Sequence, residues 1–115
     1  MIRQGFVKKV EHPTDWISPA MFVPKAGSGG VRLVADFQGL NKYVKRPVHP
    51  FPSAAEITSS IPAGSNWFAA LDAQKGYFQV ELDERDRDLT TVLLPHVGRI
   101  WFLRSPMGLS ASADE

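Results

Sequence analysis

Apolar and polar positions along this chain switch between two periods, and the switches mark out a series of short elements. The plainest apolar run is 67–71, Trp67-Phe68-Ala69-Ala70-Leu71, which predicts a buried strand ending at a carboxylate, Asp72. A Gly-Tyr pair follows, and 78–82 alternates as a second strand would. Upstream, Arg3-Gln4-Gly5 reads as a helix end with a glycine cap, running into a strand over 6–10. Strands over 20–23 and 33–37 flank a glycine-rich stretch at 25–32, which predicts a hairpin with Gly27, Ser28, Gly29 and Gly30 at its tip. Gly39-Leu40-Asn41-Lys42 predicts a turn, and Pro47, Pro50 and Pro52 impose extended backbone after it. Ser53 with Glu56 three residues on predicts a capping box for a helix over 54–60, whose Ile57 and Ile61 would face the core. The charged stretch 83–88 predicts a short solvent-facing helix, 90–94 and 99–103 a hairpin turning at Pro95-His96-Val97-Gly98, and Ser110 the start of a helix over 110–115. The predicted class is α+β.

Composition narrows this picture in three ways. There is no cysteine, which excludes a disulfide framework and thiolate metal sites. No run approaches the length of a membrane span and the first residues lack a signal peptide's apolar core, so a soluble intracellular protein is expected. The net charge of +1 hides an asymmetry: residues 1–50 carry eight Lys or Arg against three acids, and residues 51–115 carry five against nine. A basic half beside an acidic half suits phosphates next to a carboxylate site for cations, although solvated faces produce the same split.

Each candidate residue has a plain structural reading beside its chemical one. Asp72 at a strand end either caps the following turn or ligates a metal. Lys25 and Arg32 beside the glycine-rich tip either cradle a triphosphate or are ordinary surface charges; no GK[ST] follows, so this is not a Walker loop. Lys42, Lys45 and Arg46, interleaved with Tyr43, either track a nucleic-acid backbone or form a wet edge. Asp36 suits a turn or an ion pair, and His12, His49 and His96 lack metal-ligand spacing.

Four blocks in order, HPTDWISPAMFVPK (12–25), GGVRLVADFQGLNKYVKRP (29–47), WFAALDAQKGYFQVELDERDRDLTT (67–91) and RSPMGLSASADE (104–115), make the chain resemble the reverse transcriptases of gypsy-type long-terminal-repeat retrotransposons. The resemblance implies a fingers subdomain over about 1–62, a first palm segment over about 63–94, and a return to the fingers with the start of the next palm helix over about 95–115. It implies RNA-directed DNA polymerisation with two Mg²⁺ ions, on an RNA or DNA template with primer and dNTPs. Asp72 then matches the first catalytic aspartate, with the Ala73 carbonyl beside it on the metal. Lys25 and Arg32 match the cations that clasp the triphosphate, Tyr77 the gate against a ribose 2′-OH, and Met107 with Gly108 the loop near the incoming sugar. Gln38, Lys42, Lys45 and Arg46 fall on the template side. Gln38 stands where many relatives carry Arg, and Ala35 and Met107 also depart from the common residues. The Tyr-x-Asp-Asp hairpin is not in these 115 residues. The expectation is therefore a piece of a pol polyprotein, inactive and marginally stable alone, with Trp67, Phe68, Trp101 and Phe102 poorly covered. The alternative is a nucleic-acid-binding module that has shed catalysis.

Overall fold

Five strands form one mixed sheet in the order β1-β5-β4-β2-β3. They are β1 (Val7–Lys9), β2 (Ser18–Pro24), β3 (Val31–Ala35), β4 (Val92–Leu94) and β5 (Gly98–Phe102), with two short helices, α1 (Gln38–Asn41) and α2 (Ala54–Ser60). This is an α+β arrangement. The computed structural model describes residues 1–27, 29–46 and 50–113; Ser28 of the hairpin tip, Pro47, His49 and the end of the 110–115 helix lie outside them.

The hydrophobic alternation places most strands where the sequence puts them. Gly5 caps the first turn at φ 70°, a left-handed value that suits a residue without a Cβ, and β1 follows. Gly98, at φ 87°, closes the β4–β5 hairpin, in which Val92 faces Ile100 and Leu94 faces Gly98. One pairing departs from an all-antiparallel set: β2 runs parallel to β4, with Ser18 opposite Val92. Parallel neighbours need a long crossover, and the chain between these two strands is long enough to supply it.

The core lies on one face of this sheet. Val7, Ile100, Phe102, Val92 and Leu94 point to it, and Phe37 and Leu40 cover it from the start of α1. Phe37 meets Phe102 edge to face, with ring centroids 6.0 Å apart. Phe102, expected to be poorly covered, is buried at 3% exposure. Trp101, on the opposite face, is half-buried against the His12 ring at 5.2 Å.

The structure corrects the sequence over residues 50–82. The 67–71 run is not a buried strand: it is extended, unpaired backbone, and Trp67 and Leu71 are 95% and 100% exposed. A strand needs a ladder, and none of the five strands pairs with this segment, so water takes its backbone groups and its side chains stay out. α2 forms as predicted, with the full Ser53–Glu56 capping box, yet buries no residue; Ile57 and Ile61 face solvent. Local hydrogen bonds define this helix, and among the described residues no second surface meets its apolar stripe. Residues 78–82 do not make a strand either. Lys75, at φ 54°, starts a 3₁₀ turn, Gly76–Gln79, and Phe78 stacks on Phe6 at 4.8 Å with the Lys75 ammonium over the same Phe6 ring. Beyond it the chain is joined to 103–105 by Leu82 N–H to Leu103 O, Ser105 N–H to Val80 O, and an Arg104–Glu81 ion pair of 2.6 Å. The charged stretch 83–88 is a turn leading into a 3₁₀ turn, Arg87–Thr90; the Arg85 guanidinium grips Asp83 and holds its carboxyl well below the usual carboxylate range. Because residues 50–75 stand away from the core, the radius of gyration is 17.9 Å. A compact chain of this length would measure about 13 Å.

Two outcomes follow for stability. Ile100→Ala or Phe102→Ala should cost about 3–5 kcal/mol in urea unfolding, while Leu71→Ala and Ile57→Ala should stay within about 0.5 kcal/mol. The capping box holds the Glu56 carboxyl below its ordinary 4.5, chiefly through the Ser53 backbone N–H and then its hydroxyl. A lowered folded pKa stabilises above the unfolded value and is lost as pH falls through the folded one. Amide protection in the first turn of α2, taken relative to the intrinsic exchange rate at each pH, should therefore fall on acidification below about pH 4.5, and Glu56→Gln should flatten that dependence.

Candidate nucleotide and nucleic-acid site

The β2–β3 hairpin is closed by the Lys25 N–H donating to the Gly30 carbonyl at 2.7 Å. Val23 lies opposite Arg32 and Met21 opposite Val34. Side chains alternate between faces, so this register puts Met21, Val23, Arg32 and Val34 on one side, with Lys25 directly after the last residue of β2. Phe22, Leu33 and Ala35 occupy the other, where Leu33 and Ala35 pack against the core. Lys25 and Arg32 thus flank the same hairpin tip, one at the end of β2 and the other near the start of β3. Lys25 and Arg32 are exposed, and neither has an ion-pair partner among the described residues.

At the base of the hairpin a hydrogen-bonded chain sets the next candidates. The Asp36 N–H donates to Pro19 O at 2.8 Å, and its carboxylate accepts the Gln38 N–H at 2.9 Å, the turn role read from the sequence. Gln38 thus opens α1 with its side chain exposed. At the far end of α1, Asn41 reaches the 107–110 loop. Its Nδ2 donates to Gly108 O at 3.0 Å and its Oδ1 accepts the Ser110 N–H at 2.9 Å. Gly108 sits at φ 98° with the Ala35 carbonyl 3.4 Å from where a Cβ would lie, so Met107 and Gly108 are held directly against the end of β3. Met107 itself is 54% exposed. The sequence reading took Asn41 for a turn residue. Its partners are 67 and 69 residues away, so no local pattern could have singled it out.

Lys42 and Lys45 are exposed beyond α1, and Lys45 borders a cavity of about 540 Å³ with Trp16, Tyr43, Leu82 and Leu109. Arg46 is exposed too. Tyr43 packs edge-on against Trp16 at 5.5 Å, which ties this basic segment to the turn before β2.

Asp72, Ala73 and Tyr77 belong to the other part of the molecule. Asp72 and Ala73 lie in the exposed, unpaired segment, and Tyr77 is 37% exposed in the 3₁₀ turn that follows. No strand pairing joins Asp72 to the hairpin, and among the described residues its carboxylate has no hydrogen-bond partner. The structure therefore brings Gln38, Met107 and Gly108 to the Ala35 end of β3, carries Arg32 on the same strand toward the hairpin tip, and gives Asp72 no strand pairing with either. Mg²⁺ takes a near-octahedral set of oxygens. Asp72 and Ala73 offer one carboxylate and one carbonyl, and among the described residues no three His, Cys, Asp or Glu converge. These residues do not by themselves fit a Mg²⁺ centre.

Gly108→Ala should destabilise the protein by about 1–2 kcal/mol, because an L side chain is strained at this φ. Thermal unfolding of that variant beside Gly39→Ala, whose Cβ meets nothing within 4 Å, would check it.

The family model described as "Reverse transcriptase (RNA-dependent DNA polymerase)" matches residues 23–113. The chain is 34% identical over 113 residues to the transposon Tf2-3 polyprotein of Schizosaccharomyces pombe, covering 96% of this chain and 8% of the polyprotein. It is 30% identical over 113 residues to the retrovirus-related Pol polyprotein from transposon 297 of Drosophila melanogaster, covering 95% of this chain and 10% of that one. The chain thus spans about a tenth or less of the curated relatives it matches. Its fold superimposes on the crystal structure of the prototype foamy virus protease–reverse transcriptase with a TM-score of 0.75, at 22% identity, over 96% of this chain and 14% of that one. The hairpin, the α1 framework and these likenesses agree: the chain belongs to the reverse transcriptase (RNA-dependent DNA polymerase) family, within the group represented by retrotransposon polyproteins.

Proposed function

We propose that this chain supplies the fingers-side nucleotide and template contacts, together with the first catalytic carboxylate, of a retrotransposon's RNA-directed DNA polymerase. The observation that carries the reading is the hairpin, which brings two exposed cations, Lys25 and Arg32, to flank one tip, neither with an ion-pair partner among the described residues. Two cations at that spacing suit a triphosphate, and the Arg fork can bind it bidentately. Met107 and Gly108, held against the end of β3, then border the sugar, and Gln38, Lys42, Lys45 and Arg46 run along the template. Tyr77 stands five residues after Asp72, where a ring would crowd a 2′-OH of a nucleotide seated there. In this assignment residues 1–62 are fingers, 63–94 the first palm segment, and 95–115 the return to the fingers.

Mg²⁺, when bound in enzymes of this kind, neutralises the charge that builds up on the phosphates. Asp72 and Ala73 do not complete such a centre, so no catalytic step is derived for the chain alone. Its own work is binding and orientation, and the partners are a primer–template, dNTPs and the remainder of the polyprotein. No helix among the described residues is long and apolar enough to cross a membrane. A second reading, a nucleic-acid-binding module without catalysis, draws support from the lack of any strand pairing between the Asp72 segment and the hairpin among the described residues.

Binding of a labelled dNTP and of a labelled primer–template, each titrated over a salt series, separates the two. Arg32→Ala should weaken dNTP binding about tenfold or more, the size of a lost charge-assisted hydrogen bond, and lower the primer–template salt slope by no more than about one. Primer–template binding with no dNTP binding in the parent chain would favour the second reading. An unchanged dNTP affinity in Arg32→Ala would remove the triphosphate role.

A further inference from the structure

We infer that Asn41 is a positioning residue that locks the Met107–Gly108 loop to α1, so that the template-side and sugar-side surfaces move as one body. The inference rests on the polymerase reading for what those surfaces meet, and on geometry alone for the lock.

The amide of Asn41 is used at both ends and in opposite senses. Nδ2 gives a proton to Gly108 O, and Oδ1 takes one from the Ser110 N–H, so the side chain spans the loop on either side of Leu109. A single side chain with one donor end and one acceptor end matches both demands without being turned over. A carboxylate could serve only Ser110, and an alanine neither. The other end of the loop is fixed separately. Ser112 Oγ donates to Pro106 O at 2.9 Å, which leaves Ser105 Oγ as the donor in the 2.6 Å contact between the two serines. Both serines are buried, at 4% and 9% exposure. With Pro106 held from one side and Gly108 and Ser110 from the other, Met107 has its neighbours pinned on both sides.

The same helix starts at Gln38, whose N–H is bonded to Asp36, and Asp36 is bonded in turn to Pro19 of β2. Buried Leu40 anchors the helix to the core between these two points. Asn41 is thus the link through which the β2–β3 base, Gln38 and the Met107–Gly108 loop share one rigid reference. Neither Gly108 nor Ser110 has another side chain bonded to its backbone among the described residues.

The experiment is residue-resolved amide exchange on the whole 115-residue chain, beside primer–template affinity at fixed salt. In Asn41→Ala the Ser110 amide should exchange about five- to tenfold faster, the worth of one hydrogen bond, while the β4 and β5 amides are unchanged. Asn41→Asp, which keeps the acceptor, should retain the protection of Ser110. Primer–template affinity of Asn41→Ala should fall about fivefold with its salt slope unchanged, since no charge is removed. Unchanged Ser110 exchange in Asn41→Ala overturns the lock, as does loss of protection in Asn41→Asp equal to that in Ala. Faster loop exchange with unaltered affinity overturns the positioning role and leaves a purely structural bond. If the parent chain does not bind primer–template, the polymerase reading fails for this chain and the positioning role falls with it, while the exchange arms still decide the lock.

Discussion

The structure depends on which face of β5 is buried. Ile100 and Phe102 point inward, with Phe37 set edge-on against Phe102, and a slip of one residue would replace them with Arg99 and Trp101. The register of β1, of β4 and, through Ser18 and Val92, of β2 is inherited from this choice. Thr90 reinforces it from inside. Its hydroxyl donates to Arg87 O and accepts the Phe102 N–H at 3.1 Å, which satisfies a buried polar group while holding the strand. Because β3 hangs from β2, the placing of Lys25 and Arg32 is a remote consequence of packing beneath Phe102.

What the sequence made legible is what short-range chemistry controls. The Gly5 cap, the Ser53–Glu56 capping box and the Gly98 hairpin corner depend on residues within a few positions of each other, and all three form. Strand alternation worked where the sheet supplied a partner, as in β3 and β5. It misled at Trp67 to Leu71 and at Ile57 because hydrophobicity states a demand for a second surface without showing that one exists. At Phe78 the pattern was outcompeted: stacking on Phe6 and the left-handed Lys75 bend the chain into a 3₁₀ turn before a strand can extend. The parallel β2–β4 pair and the Asn41 bridge were invisible for one shared reason, since both join residues far apart in the chain.

The candidate site divides along the same line. The backbones of Arg32, Gln38, Met107 and Gly108 are set by the sheet and by hydrogen bonds that close back on it. Lys25 is tied at its backbone to Gly30 but carries its ammonium into solvent. Asp72 has neither kind of support. It is placed by sequence next to Ala73 and Tyr77, and only loosely by structure relative to the cations.

This division bears on what the chain can do with a nucleotide. Holding a triphosphate, as proposed for the hairpin, needs cations on a supported backbone, and Lys25 and Arg32 have no acid partner among the described residues. In-line transfer asks for more, because a carboxylate must stand within a fraction of an ångström of its working position relative to the phosphate. A residue on unpaired backbone with solvent on all sides has no such constraint. Pairing the 67–71 run into a ladder would supply it in one step: the apolar side chains would turn to a covered face, and the strand end would fix Asp72. The exposed Trp67 and Leu71 and the unanchored carboxylate are thus two aspects of one unmet requirement. The binding proposed for the hairpin and α1 does not share it, so on that reading recognition and chemistry are physically separable along this chain.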